Sequence, residues 1–429
     1  MSQTIPQLVD HLFRRESGRM VAALTRSFGP AHLGLAEEVV QDALIQALRR
    51  WPFHGVPEKP AAWLYRVARN LALDQLRRRS NFRGKEDAIR DRLEATAMAS
   101  DLGDRPTAFL DGEITDDQLR LIFLCCHPEL GRDQRVALTL KAVLGLTARE
   151  IARAFFTREP TVAQRIVRAQ RRIRERHFPF EVPPPDEIPA RLDTVLEVLY
   201  LAFNEGYGAH EGDDLVRADL CTESLRLVVQ LGDLTPTDQP VVHALAALME
   251  FQISRLPARI QRDAHGGPGE LVRLADQDRS RWDHAAIRRA FAHLERSARG
   301  DAQTTYHLQA AIAAHHAMAP STSATDWSAI LELYDRLMDL GPSPVIALNR
   351  AVAVARLEGP RAGLDAIDAI ADHPAIADYY LLGATRGELA MQLGDTARAA
   401  EALRHALTCR CTAPERRFLE RRLAALDRG

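Results

Sequence analysis

The stretch GLTAREIARAFFTREPTVAQRIVRAQRRIRE, residues 145–175, contains two helix-start signals and ends in a run of arginines. Thr147 is followed three residues later by a glutamate, and Thr161 by a glutamine, which is the capping-box pattern at the start of a helix. Apolar residues then recur at three- and four-residue spacing in both halves. The stretch therefore predicts two helices joined by a turn from Thr157 to Pro160, as in a helix-turn-helix.

The second of these helices has an apolar stripe on one side and a basic face on the other. Residues 161–177 carry six arginines and one glutamate, a net charge of +5. Such a helix suits the major groove of DNA, where its early residues meet base edges and its later arginines meet phosphates. The alternative is a solvated basic face on a structural helix. The residues predicted to contact duplex DNA are Thr161, Gln164, Arg165, Arg168, Arg171 and Arg172.

A second basic helix, residues 63–79, follows the loop WPFHGVPEKP at 51–60, and residues 63–85 carry a net charge of +6. Three prolines stiffen the loop, which predicts a rigid pocket for an unstacked base; an ordinary helix connector is the alternative. The side chains predicted to pack inward are Trp63, Leu64, Val67, Leu71 and Leu76. Those predicted to face outward are Arg66, Arg69, Asn70, Asp74, Arg77 and Arg78.

The segment before this loop, residues 33–51, reads as an amphipathic helix with an acidic edge. Its predicted inner side chains are Val39, Val40, Ala43, Leu44, Ala47 and Leu48. Its predicted exposed edge consists of Glu37, Glu38, Gln41 and Asp42. Because acidic side chains repel phosphate, this edge is predicted to meet a basic protein partner rather than DNA.

Composition indicates an ordinary globular protein. The 429 residues are 46% hydrophobic and 27% charged, and this length predicts two to four domains. Neither a membrane-spanning run nor the apolar core of a signal peptide is recognisable, so a cytoplasmic location is expected. The five cysteines show no CxxC pair, which argues against a zinc site or a disulfide framework.

The small formal charge of −2 conceals two halves of opposite sign. Residues 1–180 sum to +8 and residues 181–429 to −10. The predominance of arginine over lysine is typical of proteins from GC-rich genomes and by itself indicates no nucleic-acid binding. The asymmetry, by contrast, predicts a half that binds a polyanion joined to a half with another role.

Helical periodicity throughout the chain predicts an all-α protein. Within the last part, LEGPRAGLDAI (357–367) matches LGDTARAAEAL (393–403) at an offset of 36 residues, as in tetratricopeptide-like helix pairs. The predicted parts are a helical domain at 5–84, an acidic linker at 85–113, a helix-turn-helix domain at 114–178, a proline-rich hinge at 179–189, a helical extension at 190–320 and helical repeats at 321–429.

The order of these motifs strongly resembles that of bacterial extracytoplasmic-function sigma factors. The matching segments are AEEVVQDAL, AWLYRVARNLALDQLRRR, the acidic linker, LTAREIA and PTVAQRIVRAQRRIRE, which together cover about residues 8–178. The turn AFFTREPT departs from the family's usual short turn containing glycine.

The resemblance implies a sigma factor that binds core RNA polymerase and initiates transcription at promoters. The acidic edge would contact the polymerase clamp, the helix-turn-helix would read the minus-thirty-five element, and residues 86–118, net −7, would mimic RNA in the exit channel. The residues that would handle the melted minus-ten strand are Phe53, His54, Lys59, Arg66, Arg69, Asn70, Asp74, Arg77 and Arg78.

Segments such as LYLAFNEGYGAHEGDDLVRADLCTESLRL (199–227) resemble the subgroup of this family that carries a long tetratricopeptide-like extension. Genes of that subgroup often lie beside genes for small DGPF-motif proteins. The resemblance therefore implies a small DGPF-type protein or another signal partner at the extension. We predict that the extension holds or releases the half of the chain that binds DNA.

Other readings remain at this point: a conventional helix-turn-helix regulator with a tetratricopeptide-like sensor, a repeat scaffold, or an enzyme within 190–320. A metal-like cluster is formed by His210, Glu211, Asp213 and Asp214, and polar structural contacts are the preferred reading because no helical histidine pair accompanies it. No catalytic residue, cofactor or metal is predicted. Residues that could line a small-molecule or peptide groove are Asn204, Glu205, Tyr207, Arg217, Arg279, Arg281, Asn349 and Arg350.

Overall fold

The computed structural model describes residues 5–81, 113–155, 157–208, 218–261 and 270–426. Throughout these ranges the regular structure is helical except for a two-residue ribbon, in which β1 (Ile260–Gln261) pairs antiparallel with β2 (Glu270–Leu271). The all-α prediction is confirmed. Within the described ranges, no helix is long and apolar enough to cross a membrane.

The chain divides into two compact units, Met1–Val198 and Leu199–Gly429. Within the described ranges, the helices that begin in the first unit are α1 (Ile5–Phe28), α2 (Leu33–His54), α3 (Pro60–Asn81), α4 (Glu113–Cys125), α5 (Arg132–Ala142), α6 (Ala148–Ala154), α7 (Glu159–Arg176) and α8 (Ile188–Tyr207). The division between the two units falls within α8.

Helices α1, α2 and α3 pack against one another. The predicted inner residues of α2 are buried with one exception, since Leu48 is 42% exposed and its prediction is wrong. The buried stripe of α2 passes from Ala47 to Trp51, four residues later, and leaves Leu48 beside it. The buried line of α3 consists of Leu64, Ala68, Ala72 and Leu76, at four-residue spacing. Three further residues that were predicted to point inward lie beside that line and are half-buried: Trp63, Val67 and Leu71.

The two predicted helix starts of the helix-turn-helix differ in outcome. Thr147 forms the capping box: its N–H donates to Glu150 Oε2 at 2.8 Å, and its hydroxyl accepts from the Glu150 N–H at 3.2 Å. The predicted start at Thr161 is wrong, because α7 begins at Glu159. Pro160 lies in the first turn of α7, where its fixed φ is favourable and its missing N–H costs no hydrogen bond.

The segment 179–189, predicted as a hinge, has a buried residue of the first unit at or next to each end. Phe178 is buried, and its ring stacks on His127 with 3.8 Å between the ring centroids. Ile188, which begins α8, is also buried. The first turns of the predicted extension therefore pack within the first unit.

The helices of the second unit in the described ranges are α9 (Ala218–Asp233), α10 (Pro240–Ser254), α11 (Leu256–Arg259), α12 (His284–Ser297), α13 (Thr305–Met318), α14 (Trp327–Leu340), α15 (Pro344–Glu358), α16 (Pro360–Asp368), α17 (Pro374–Ala377), α18 (Tyr380–Gln392), α19 (Thr396–Thr408) and α20 (Ala413–Leu426). The central helix α10 packs against α9, α12 and α13.

The predicted repeat recurs as two helix pairs, α15 with α16 and α18 with α19. The first helices of the pairs begin at Pro344 and Tyr380, and the second helices at Pro360 and Thr396, so both offsets equal the 36 residues of the sequence repeat. At the α18–α19 crossing, a Cβ on Gly383 would lie 2.6 Å from the Ala402 carbonyl oxygen. Glycine is therefore what allows these two helices to approach.

Some predictions fall on residues outside the described ranges. Of the acidic linker at 85–113, the described part is the last residue, Glu113, where α4 begins. The other predicted residues outside these ranges are His210, Glu211, Asp213, Asp214 and Arg217.

Candidate nucleic-acid interface

Helix α7 presents a polar face opposite its buried stripe. Val162, Ile166, Ala169 and Ile173 are buried. Of the residues predicted to contact duplex DNA, Gln164, Arg168, Arg171 and Arg172 are exposed, and Thr161 and Arg165 are half-buried. The structure thus brings all six onto one helix.

Several arginines on α7 have acidic partners that are also solvent-accessible. Arg165 pairs with Asp133 at 2.6 Å, Arg171 with Glu175 at 2.6 Å, and Arg172 lies 4.0 Å from a Glu129 oxygen. Surface pairs of this kind contribute about 0–1 kcal/mol. Phosphates can therefore replace these carboxylates at little cost.

One exposed apolar residue on α7 was missed by the sequence reading. Val167 is 60% exposed and lies between Gln164 and Arg171 along the helix face. Apolar side chains in this position can contact the methyl group of thymine. The signal in the sequence was an apolar residue outside the periodic stripe.

A cavity of ≈ 530 Å³ lies where α2 gives way to α3, and Trp51 and Trp63 form part of its wall. Their rings meet edge-to-face with centroids 5.6 Å apart, and the buried Trp51 Nε1–H has no acceptor among the described residues. The cavity is lined by Arg50, Trp51, His54, Gly55, Val56, Pro57 and Trp63.

The predicted loop at 51–60 is shorter than expected, because α2 continues through Pro52 to His54. Gly55 then adopts φ +80°, a conformation favoured by glycine, and turns the chain toward α3. Phe53 is 85% exposed and lies outside the cavity wall, as does Lys59. Of the three loop residues predicted to handle a melted strand, His54 is the one that lines the cavity.

A polar stripe runs along α3 away from the cavity. Arg66, Asn70, Asp74 and Arg77 follow Trp63 at three- and four-residue spacing and are exposed. Arg78 is also exposed, and Arg69 is half-buried. The aromatic cavity and the basic stripe together form a continuous surface suited to single-stranded nucleic acid.

The acidic edge of α2 differs from the prediction at one residue. Glu38 and Gln41 are exposed and Asp42 is half-buried, but Glu37 is 6% exposed, so its predicted exposure is wrong. Glu37 follows Leu33 by four residues and precedes Val40 by three, so it shares their buried face. That spacing was visible in the sequence.

Glu37 lies against the helix-turn-helix domain. Its Oε2 accepts a hydrogen bond from Gln170 Nε2 on α7 at 2.9 Å and lies 3.9 Å from Lys141 Nζ on α5. Burial raises the pKa of Glu37 to about 7, although Lys141 and the bond from Gln170 act in the opposite direction. The carboxyl group therefore titrates near neutral pH.

Other contacts also join the two domains of the first unit. Arg26 on α1 pairs with Asp117 on α4 at 3.2 Å. A Cβ on Gly18 would lie 2.1 Å from the Val143 carbonyl oxygen, so α1 approaches the end of α5 as closely as glycine permits. The α7 recognition face stays exposed in this packing.

The polar cluster around Arg279–Arg281 in the second unit has local structural roles. Asp278 accepts from the Ser280 N–H at 3.0 Å, and Asp283 caps α12 by accepting from the Ala285 and Ala286 N–H groups. Among the described residues, no group of three or more His, Cys, Asp or Glu side chains could hold a metal ion.

Both candidate surfaces lie in segments that match sigma-factor regions. Residues 12–82 match Sigma-70 region 2, and residues 120–173 match Sigma-70, region 4. Residues 191–298 match a family of unknown function, DUF6596. No solved structure matches the chain.

One relative covers nearly the whole chain, and the relatives of its first half are sigma factors. An uncharacterised protein of Rhizobium meliloti is 41% identical over 94% of this chain and 92% of its own length. The probable ECF RNA polymerase sigma factor SigI of Mycobacterium tuberculosis is 30% identical over 51% of this chain and 76% of its own. The ECF RNA polymerase sigma-E factor of Escherichia coli is 30% identical over 36% of this chain and 78% of its own. The chain belongs to the extracytoplasmic-function family of RNA polymerase sigma factors.

Proposed function

We propose that this sigma factor for transcription initiation reads an upstream promoter element with α7, holds the melted strand on the Trp51–Trp63 cavity and α3, and is controlled through its C-terminal extension. The net charge of +5 and the exposed polar face of α7 support the first role. The protein would act in the cytoplasm with core RNA polymerase.

Capture of a melted base is supported by the chemistry of the cavity wall. The two indole rings offer apolar surface, and the Trp51 N–H offers a donor that a base can satisfy. The α3 stripe continues from the cavity and would carry the phosphates of the same strand. The exposed Glu38 and Gln41, with Asp42, would contact the polymerase clamp.

The observation that carries control by the extension is the packing of the first half of α8 on the helix-turn-helix domain. Leu192, Val195 and Leu196 are buried there. Arg191 donates to the Phe123 carbonyl oxygen at 2.8 Å, and its guanidinium lies 5.8 Å from the Phe123 ring centroid. The extension is thereby built into the domain that would read the upstream element.

Two further contacts lie at the rim of the α8 interface. Arg135 Nη1 donates to Thr194 Oγ1 at 3.2 Å, and Arg132 Nε donates to Glu197 Oε1 at 2.9 Å. Arg132 retains 66% of its side-chain exposure, whereas Arg191 retains 13%. A buried, charge-assisted bond contributes about 1.5–3 kcal/mol, and an exposed ion pair about 0–1 kcal/mol.

This difference provides an experiment with a matched control. Arg191→Met and Arg132→Met are compared with the unmodified chain in transcription by core polymerase on the DNA upstream of the gene. Arg191→Met should loosen α8, measured by hydrogen exchange of its first turns, and change the initiation rate by about tenfold or more, the factor that corresponds to about 1.5 kcal/mol. Arg132→Met should change the initiation rate by at most about fivefold, the factor that corresponds to about 1 kcal/mol.

Control through α8 would be refuted if hydrogen exchange showed α8 released while initiation was unchanged. Base capture is tested separately with 2-aminopurine placed in the melted element. The Trp63→Leu variant should show a smaller change in 2-aminopurine fluorescence on binding, without weaker duplex binding by α7. A small DGPF-type protein, or another signal partner at the extension, remains our proposal for the source of the signal.

A further inference from the structure

The second unit contains a cavity of ≈ 270 Å³ between β2, the turn that follows it, and helices α13 to α15 and α18 to α20. Its size lies just below the range of about 300–1,000 Å³ that is usual for small-molecule sites. Leu381, Ala384, Met391 and Phe418 contribute apolar surface, and Trp327 and Tyr380 contribute aromatic rings. The interior therefore suits the hydrocarbon or aromatic body of a small ligand.

The charged groups of the wall are predominantly cationic. They are Arg273, Arg279, Arg356, Arg422 and Glu388. Glu388 is shared by two arginines: it pairs with Arg273 at 2.8 Å and also with Arg422. Arg273 has a second carboxylate partner, Asp276, at 2.6 Å. Even with Asp276 counted, the cavity has more arginines than carboxylates.

The guanidinium group of Arg279 donates hydrogen bonds to neutral groups, and these do not balance its positive charge. Its Nη1 donates to the carbonyl oxygens of His316 and Ala319 at 2.6 and 2.5 Å. Of the residues predicted to line a groove, Arg279 lies in the wall of this cavity. Arg350, from the same prediction, pairs instead with Asp335 at 2.5 Å. The groove prediction thus identified one wall residue.

Arg356 is the cation best placed to receive an anion. Its guanidinium lies 5.6 Å from the Trp327 ring centroid, and it has no carboxylate partner among the described residues. His316 adds a neutral polar group: burial, with Arg255 and Arg279, lowers its pKa to about 3. Its Nδ1 has no hydrogen-bond partner within the described part of the chain.

We propose that this cavity binds a small organic carboxylate with an apolar body. The body lies against the apolar and aromatic wall, and the carboxylate accepts hydrogen bonds from Arg356. The fork of guanidinium N–H groups matches the two carboxylate oxygens, and the uncompensated charge of Arg279 adds attraction. The excess of arginines disfavours cationic ligands, and the apolar wall disfavours small inorganic anions.

The test measures binding to the full chain by isothermal titration calorimetry, so it is independent of the proposed transcriptional roles. The probes are decanoate and 3-phenylpropionate, each below its micellar concentration, and decanamide is the neutral analogue of decanoate. At least one carboxylate should bind at a single site. Decanamide, which lacks the charge, should bind about tenfold or more weakly than decanoate.

Three variants locate the site. Arg356→Gln should weaken carboxylate binding by about ten- to a hundredfold, the range expected for charge-assisted hydrogen bonds. Ala384→Phe should abolish binding by filling the cavity. Arg361→Gln, an exposed arginine on α16 outside the wall, should leave binding unchanged. Circular dichroism of each variant checks that it is folded.

Absence of binding by both carboxylates would overturn the proposal. So would binding of decanamide as tightly as decanoate when both bind, or unchanged carboxylate binding in a folded Arg356→Gln variant. If Ala384→Phe fails to fold, Arg356→Gln and the neutral analogue still decide the result.

Discussion

Glu37→Gln should stabilise the packed form of the first unit, in which the two promoter-reading domains touch. The positions in the names of the minus-ten and minus-thirty-five elements differ by about 25 base pairs, or roughly 85 Å of duplex at about 3.4 Å per base pair. Helices of the length of α1 and α7 span about 27–36 Å, so two adjoining domains fall short of that distance. On the proposed function, in which each domain binds one element, the two domains must therefore separate before both elements can be bound.

The magnitude follows from the raised pKa of Glu37. In the packed form it is about 7, against 4.5 for an ordinary glutamate, the value expected after separation. Each pKa unit corresponds to about 1.4 kcal/mol, so ionisation disfavours the packed form by roughly 3 kcal/mol. The packed form is most stable below pH 4.5, loses stability as the pH rises through 7, and changes little above that. A glutamine at position 37 cannot ionise, so the packed form of the variant does not lose this stability as the pH rises.

Energy transfer between dyes at the exposed positions 45 and 174, on α2 and α7, reports separation of the domains. For the unmodified chain, transfer should decrease between pH 5.5 and 8, whereas Glu37→Gln should keep transfer high and slow open-complex formation at pH 8. Glu38→Gln, at the exposed neighbouring position, should show the same pH profile of energy transfer as the unmodified chain. Identical pH profiles for Glu37→Gln and the unmodified chain would refute the reasoning.

Three other substitutions test separate parts of the first unit. Gly18→Ala should open the same packing, because its Cβ would meet the Val143 carbonyl oxygen at 2.1 Å; energy transfer should fall at every pH while α1 itself stays helical. Thr147→Ala should lower the unfolding free energy of the helix-turn-helix domain by about 1 kcal/mol in urea titrations, and no change would contradict the observed capping box. Arg168→Gln should weaken binding to all promoter sequences and reduce the slope of log K against log salt concentration by about 1, the value for one lost phosphate contact. Arg404→Gln, an exposed control in the second unit, should change neither quantity.

The features that the sequence predicted correctly depend on neighbours a few residues away. The Thr147 capping box needs Glu150 alone, and the buried stripe of α7 follows from helical spacing. The 36-residue repeat likewise recurs as helix pairs with equal offsets. The misplaced start of α7 was also a local matter: the capping-box pattern at Thr161 was read without allowing for Pro160 in the first helical turn.

Two features that the sequence did not predict, the partner of Glu37 and the cavity of the second unit, arise from contacts between distant residues. Glu37 was placed on the exposed edge because it is charged, and its burial is explained by Gln170, which is 133 residues away. The ligand cavity is assembled from the ribbon turn, α13 to α15 and α18 to α20, so no single motif marks it. The helical spacing of α2 indicates that Glu37 lies on the buried face. The reason a carboxyl group is buried there is its partner on another domain.

The packing of α8 decides where the proposed control can act. Had 179–189 been a free hinge, the extension could influence promoter binding only by covering a surface. Instead, Phe178 and Ile188 anchor both ends of that segment, and Arg191 fastens the helix to Phe123 on α4. Residues 190–205 of α8 include neither proline nor glycine, where sharp kinks usually occur, so a displacement can be transmitted along this part of the helix. A change at the far end of α8 would therefore reach the core shared by α4 and α8, so the helix-turn-helix domain is where we expect the extension to exert its effect.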